Sequence, residues 1–248
     1  MKPRLVFTTD LNGTTTPENT FAALMADEEK KAAMRALMGE YTTGRKRFAD
    51  VLPEMERLAA GVTRERALSY AGAMPYFSGV EETLVGLLGS SRVDALAAYS
   101  TTGFAGLVAL ISVRRHQGRL RAAASPVLRD LLTEEERRLL LRPIRAEGDK
   151  AKVLDDLCRE HRPSPGLVFH VGDTLGDLPG IMHAAGLGGL GIAFCPNREL
   201  REAMENMAPA LRENLRVVEP GPAGPDYGRV GELVAERVRS ACGQALGW

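Results

Sequence analysis

The stretch LVFTTDLNGTT, residues 5–15, decides how the rest of the chain is read. Leu5, Val6 and Phe7 run without a polar break into Thr8 and Thr9, the pattern of a short strand buried on both faces in a parallel sheet. The strand then delivers a carboxylate (Asp10), an amide (Asn12) and a glycine (Gly13) to one tight turn. Gly13 lets the backbone turn sharply, so that successive N–H groups face an anion. An amide stands where the same geometry would suit a second acid.

Outward from that turn, residues 18–76 read as helical throughout. FAALMADEEKKAAMRALM (21–38), RFADVLPEMERLAAG (47–61) and TRERALSYAGAM (63–74) supply amphipathic segments with no convincing strand between them. SGVEETLVGLLGSS (78–91) reads as a capped helix, with Ser78 as N-cap and Glu81 as its capping-box partner. VDALAAYS (93–100) reads as a second buried strand, and GFAGLVALISVRRH (103–116) as a helix. RLRAAASPVL (119–128) reads as an irregular or extended connection. Residues 149–161 read as a helix, LVFHVG (167–172) as a strand and LGDLPGIMHAAG (175–186) as a helix with a glycine stop. LGIAF (190–194) reads as a strand, and PNRELREAMENM (196–207) as a helix. A Pro/Gly connector, residues 219–228, precedes a last helix over about 230–246 whose apolar stripe is expected to dock on the core.

This alternation predicts an α/β fold: a doubly wound parallel sheet with helices on both faces. The helical block leaves after strand one and returns before strand two. The expected division is a core of residues 1–16 and 78–248 with a small all-helical cap, residues 17–77, inserted after strand one. Ligands of open α/β sheets bind beyond the carboxyl ends of the strands, so the insertion is expected to cover the site.

Candidate chemistry gathers at those ends. Asp10 and Asn12 follow strand one, and Ser100, Thr101 and Thr102 follow strand two. Lys150 opens a helix, and Asp173 and Asp177 lie in GDTLGD (172–177). Together they suit phosphoryl transfer, with Asp10 as carboxylate nucleophile. Hydroxyls and Lys150 would hold phosphate oxygens, and Asp10, Asp173 and Asp177 a hard divalent ion. Each alone has a plainer explanation: Asp10 and Asn12 as turn formers, Asp177 as an N-cap, Ser100 and Thr101 as strand-end hydroxyls. Lys150 at a helix start opposes the helix dipole, which favours a role in chemistry.

The order DLNGT, STTGF (100–104), DKAKVLDDL and VGDTLGDLPGIMHAAG resembles the haloacid dehalogenase superfamily, within it the phosphoserine-phosphatase-like branch with a small helical cap. The resemblance extends to about Pro220. It implies a Rossmann-like core and a Mg2+-dependent phosphatase acting on a small phosphorylated metabolite through an aspartyl-phosphate on Asp10. It also implies that Asn12 offers its backbone carbonyl to the metal. Lys150 would stabilise the phosphoryl oxygens, and Asp173 would ligate the metal. Asp177 would act through water or as a support. The resemblance further implies Thr101, three residues before Phe104, as the phosphate-binding hydroxyl, with Ser100 its competitor and Gly13 and Thr102 beside it.

Two departures stand out. Family phosphatases carry a second Asp at the place of Asn12, and an amide neither protonates a leaving oxygen nor activates water. Losing general acid–base help costs on the order of 10²–10⁴ in rate. Four explanations stay open: a substrate with a good leaving group such as an acyl phosphate, a proton from the cap, deamidation at Asn12-Gly13, or a phosphate-binding or regulatory homologue with little turnover. The second departure is in the substrate set. Glu18 lies one residue early for the branch's amino-acid-binding Glu and reads first as the first-turn Glu of a cap helix, with a substrate contact as the alternative. Met38 is plausible, whereas Phe48, Arg45, Arg47 and Arg57 are off the branch's spacing; a phosphoserine-like substrate is one candidate. Cleavage of C–P or C–halogen bonds by a related fold is a third class. The C–P imine route needs Lys30, Lys31 or Lys46 to face the site, and all three read as solvated helix surface.

Bulk properties narrow the field. The chain has 248 residues, zero formal net charge and no concentrated basic patch, which argues against nucleic acid as a partner. Cys158, Cys195 and Cys242 form no CxxC pair and read as free thiols in a reducing compartment. No stretch approaches the roughly 18 apolar residues of a membrane span, and a cytoplasmic location is expected. The oligomeric state is not legible.

Overall fold

A computed structural model describes residues 2–104, 120–138 and 140–242. Its first strand, β1 (Arg4–Thr9), has every side chain from Leu5 onward buried, as its unbroken apolar run demands. Four helices follow before the chain returns to the sheet: α1 (Thr20–Leu24), α2 (Glu28–Thr42), α3 (Phe48–Ala59) and α4 (Arg64–Ala73). Side-chain caps start three of them: Asn19, Asp27 and Thr63 each accept a backbone N–H from the first turn ahead. In α3, Phe48, Val51, Leu52, Met55, Leu58 and Ala59 are buried, the three-and-four spacing of one apolar face.

Then come α5 (Val80–Gly89), β2 (Asp94–Ser100), β3 (Leu120–Ala123), α6 (Glu134–Arg138), α7 (Gly148–His161), β4 (Val168–Gly172) and α8 (Leu178–Gly186). The chain finishes with β5 (Leu190–Phe194), α9 (Arg198–Glu205), α10 (Pro209–Arg212), β6 (Leu215–Val218) and α11 (Gly228–Cys242). Among the described residues, six parallel strands form one sheet in the order β3-β2-β1-β4-β5-β6. The fold is therefore the doubly wound α/β architecture that the alternation predicts. Most of the expected helix over residues 103–116 lies outside the described residues, as does the end of the last helix beyond residue 242.

Three local readings change. Residues 120–123 are not an irregular connection but the strand β3 on one edge of the sheet. Its LRAA sequence has no β-branched residue, so parallel pairing with Ala97–Ser100 of β2, not propensity, makes it a strand. β6 forms the other edge with only its end residues buried, too short and too exposed to announce itself. Finally, α5 is not capped by Ser78: its N-cap is Gly79 in the left-handed conformation (φ 81°). The Ser78 carbonyl instead accepts Tyr227 N at 2.7 Å, and a Cβ on Gly79 would lie 2.2 Å from Gly228 N.

That contact brings α11 onto the core, with Val230, Val234 and Val238 buried. Tyr227, wholly buried, donates its hydroxyl to Thr9 Oγ1 at 2.8 Å. The helical block is held to the sheet domain at several points. Asn197, the N-cap of α9, donates to Thr42 O at 2.9 Å, Glu147 accepts Phe48 N at 2.6 Å, and Arg64 forms a two-pronged bond with Glu136. Buried apolar residues of the block and of the sheet belong to one continuous cluster. Among the described residues no helix is long and apolar enough to cross a membrane.

Candidate active site

The strand order turns between β1 and β4: connections after β1 lead toward β2 and β3, those after β4 toward β5 and β6. At such a switch point the crevice beyond the strand ends is the expected ligand site. Register decides what arrives there. Thr9 is level with Tyr99 on one side and Val171 on the other, so Asp10, Ser100 and Gly172 emerge side by side. Asp10 N donates to Val171 O at 2.8 Å, which extends the ladder by one more residue.

The chain then folds back sharply. Gly13 adopts φ 77°, and its N–H donates to Thr16 O at 2.7 Å. A Cβ on Gly13 would sit 2.1 Å from Asp173 Oδ2, so the position demands glycine for both its dihedral and its contact. The next residue closes the same gap: Thr14 Oγ1 donates to Asp173 Oδ1 at 2.8 Å. Asn12 is not an Asx-turn. Its Oδ1 accepts Thr20 N, eight residues on, at 3.1 Å, and a Cβ on Gly103 would meet its Nδ2 at 2.5 Å. Thr20 Oγ1 in turn accepts Phe104 N at 2.9 Å, so this amide joins the β1 turn to α1 beside the turn after β2.

Lys150, 1% exposed in the first turn of α7, reaches across the floor. Its Nζ lies 2.5 Å from Asp177 Oδ1 and 3.4 Å from Asp10 Oδ1. Asp177 is fully buried, and its other oxygen accepts the Asp173 and Thr174 N–H groups and the Thr174 hydroxyl at 3.2, 3.2 and 3.3 Å. It stands in N-cap position before α8 but makes no side-chain cap. It instead clamps the β4 turn and the lysine together. Asp10 differs: its Oδ1, buried, has no hydrogen-bond partner.

Burial pushes Asp10 up to about 6, Lys150 pulls against that rise and Asp177 adds to it. Asp173 is raised as well, by burial and then by the negative charges of Asp177 and Asp10. Burial works against charge on Lys150, but Asp10 and Asp177 more than offset it and hold the ammonium above its ordinary range. Burial would also raise Asp177, yet Lys150 and His170 bring it below the usual carboxylate range.

The three acids each place an oxygen within 4.8 Å of the others. Three carboxylates facing one lysine leave excess negative charge in a largely buried space, a set that suits a hard divalent cation. Asp10, with its unpartnered oxygen, and the partly exposed Asp173 have capacity for one. Asp177 has both oxygens engaged by protein donors.

Ser100, Thr101 and Thr102 are all buried at the end of β2. Thr101 Oγ1 accepts Gly103 N at 2.9 Å, while Ser100 Oγ has no hydrogen-bond partner. His170, wholly buried on β4, pairs through Nδ1 with Thr8 Oγ1 at 2.8 Å and leaves Nε2 3.7 Å from Asp177.

The residues weighed for substrate binding stand in several settings. Glu18 precedes the Asn19 cap, so it is not in the first turn of α1, and it accepts Tyr70 Oη at 2.8 Å. Met38 and Phe48 are buried in the common core. Arg47 and Arg57, 80% and 67% exposed, pair with Asp50 and Glu54 on the same helix, and Lys31 and Lys46 pair with Glu28 and Glu40. One polar group of the block does come in: the buried Tyr41 hydroxyl, which lies against Gly176 and has no partner. On an apolar helix face a tyrosine looks like core, so nothing in the sequence marks it.

No protein-family model matches the chain, and no curated protein matches it in sequence. Solved structures do share its fold. A phosphoserine phosphatase described as a phospho-aspartyl intermediate analogue superposes with TM-score 0.67 and 16% identity over 94% of this chain and 99% of that one. A substrate-bound phosphoserine phosphatase gives TM-score 0.68 and 16% identity over the same shares. An unliganded probable phosphoserine phosphatase from Vibrio cholerae gives 0.63 and 15% identity, covering 99% of this chain and 68% of its own. At these identities the likeness is one of fold.

Proposed function

We propose that this protein is a phosphoric monoester hydrolase of the haloacid dehalogenase type, acting on a small phosphorylated metabolite with Asp10 as nucleophile. The observation that carries the reading is a buried Asp10 oxygen that accepts no hydrogen bond and has Lys150 Nζ 3.4 Å away, at the switch point of a parallel sheet. The fold shared with phosphoserine phosphatases supports it.

In the proposed reaction an Asp10 oxygen attacks phosphorus while the ester oxygen leaves with its electron pair and takes up a proton. The resulting acyl phosphate on Asp10 is then hydrolysed by water, which releases phosphate and restores the carboxylate. Lys150 faces the phosphoryl oxygens and is itself held by Asp177. Thr101 and Ser100 offer hydroxyls from β2. A Mg2+ ion held by Asp10, Asp173 and the Asn12 carbonyl would supply positive charge toward the phosphoryl group. Residues 17–77 act as the cap that excludes water and selects the substrate. A phosphoserine-like substrate is one candidate, supported by the fold shared with phosphoserine phosphatases, although Arg47 and Arg57 pair with acids on the block's own surface.

The test is phosphate release from a panel of phosphomonoesters and acyl phosphates, with and without Mg2+. Asp10→Ala is expected to abolish release from every substrate. Turnover that persists in Asp10→Ala removes the reading.

A further inference from the structure

Resting on that reading, the remaining question is what faces the oxygen that leaves. Attack and departure at phosphorus are roughly in line, so the leaving oxygen lies on the side of the phosphoryl group away from Asp10. Asn12 has no proton to transfer to it: the side chain is a neutral amide whose Oδ1 is already bonded to Thr20 N, which leaves an Nδ2 hydrogen bond as all it can offer. A group with an ionisable proton must come from elsewhere, and the helical block inserted after β1 is the element free to supply it.

Four buried side-chain polar atoms lack partners among the described residues: Asp10 Oδ1, Ser100 Oγ, His170 Nε2 and Tyr41 Oη. Of these only Tyr41 belongs to the helical block. A buried hydroxyl without an acceptor is an unmade hydrogen bond, and such atoms in a cleft mark where a ligand completes the set. The position is specific. Tyr41 Oη lies so close over Gly176 that a Cβ there would meet it at 2.0 Å, which places the phenol on the loop joining Asp173 to Asp177. It feels the charges of Lys150, Asp177 and Asp10.

The ring is also fixed in place. It packs on Phe48 with centroids 5.2 Å apart, and Phe48 N is bonded to Glu147 at 2.6 Å, just ahead of the turn that carries Lys150. Burial above all holds the phenol well above its ordinary pKa, so it remains a donor across the working range.

We propose that the Tyr41 hydroxyl donates a hydrogen bond to the leaving oxygen of a phosphate ester bound at Asp10, doing part of what an acid at position 12 would do. The donor stabilises charge as it develops on that oxygen, so its worth grows with the basicity of the leaving group. An alkyl ester needs it, and an acyl phosphate needs it far less.

The experiment compares kcat for glycerol 3-phosphate and for acetyl phosphate in wild type and Tyr41→Phe, which keeps the ring and its contact with Phe48. The expected result is a fall of at least roughly tenfold in the ratio of the two rates, the lower end of what one such donor contributes. In an Asn12→Asp background the same substitution is expected to change the ratio less than about threefold, because the new acid takes over the task. A merely structural role moves both substrates together and leaves the ratio unchanged, which overturns the proposal. Asp10→Asn separates the two layers. If it abolishes both activities while Tyr41→Phe leaves the ratio intact, only the donor role falls. If wild type turns over neither compound, or Asp10→Asn retains turnover, the hydrolase reading falls and takes the donor role with it.

Discussion

Two turns meet at the switch point, and their carboxylates are treated in opposite ways. In the turn after β4, Asp177 is wholly buried with both oxygens engaged, by Lys150 on one side and by the Asp173 and Thr174 groups on the other. In the turn after β1, Asp10 is nearly as deeply placed but keeps one oxygen without a hydrogen bond, with Lys150 Nζ 3.4 Å away, and is pushed up to about 6 by burial. The first acid ties the scaffold together, and the second is the one the proposed reaction uses as nucleophile. Sites keep unsatisfied the group that reacts, and surround it with groups that cannot move.

The sharpest way to break that contrast is to delete each acid in turn in metal-free buffer. Asp177→Ala leaves the Lys150 ammonium buried without its closest partner and unties the β4 turn. Removing one member of a buried ion pair costs about 3–5 kcal/mol, read as a lower denaturation midpoint with an unchanged m-value. Asp10→Ala is expected to cost less, since Lys150 keeps Asp177 at 2.5 Å and the carboxylate removed is one that burial disfavours. Equal destabilisation by the two substitutions would erase the distinction.

A smaller effect comes from pH. Because the folded pKa of Asp10 lies near 6, above the ordinary value of 3.8, the folded state binds protons more tightly than the unfolded one between those limits. Stability of the metal-free protein therefore rises as pH falls from about 7 to 4, by roughly 3 kcal/mol for a shift of about two units. Asp173, raised as well, adds in the same direction. Asp177 has the opposite sign, but its contribution is lost only below about pH 4, while His170, lowered by burial, opposes part of the gain below about 6.5. Thermal melts at pH 5 and 7.5 test this. Wild type gains on acidification, Asp10→Ala gains less, and saturating Mg2+ flattens the difference. A wild type that instead loses stability toward pH 5 contradicts the assignment of Asp10 as the strained group.

How much of this was legible beforehand follows from how local each signal is. Asp10, Lys150 and Asp173 are recognisable because strand ends and a helix start deliver them, and parallel register does the rest. The clamp formed by Asp177 was only half visible, since a residue in N-cap position looks like a cap until its side chain is seen turned toward Lys150. Tyr41 was invisible. Its neighbours Leu37 and Met38 are buried on the same helix, and hydrophobic spacing assigns the ring to the core without saying where the hydroxyl ends. The ties from Asn197 to Thr42 and from Glu147 to Phe48 span 155 and 99 residues, beyond the reach of any local pattern. The edge strands β3 and β6 were missed because their neighbours in the sheet, rather than their own residues, make them strands.

Asn12 carries the last and smallest prediction. Its Oδ1 accepts Thr20 N at 3.1 Å, a bond that a carboxylate oxygen at the same place makes equally well. Asn12→Asp therefore keeps the joint between the β1 turn and α1, and it replaces the amide with an oxygen that can carry a proton. Hydrolysis of alkyl phosphomonoesters is expected to rise at least roughly tenfold, the low end of general acid–base help, equivalent to about 1.4 kcal/mol of barrier. Acyl phosphates, whose leaving group is already stable, should gain less. The added carboxylate also joins three acids already in one cluster, so the gain should require Mg2+ and shrink when the cation is chelated. If ester hydrolysis is unchanged with Mg2+ present, position 12 lies out of reach of the leaving oxygen, and the amide is there for the joint alone.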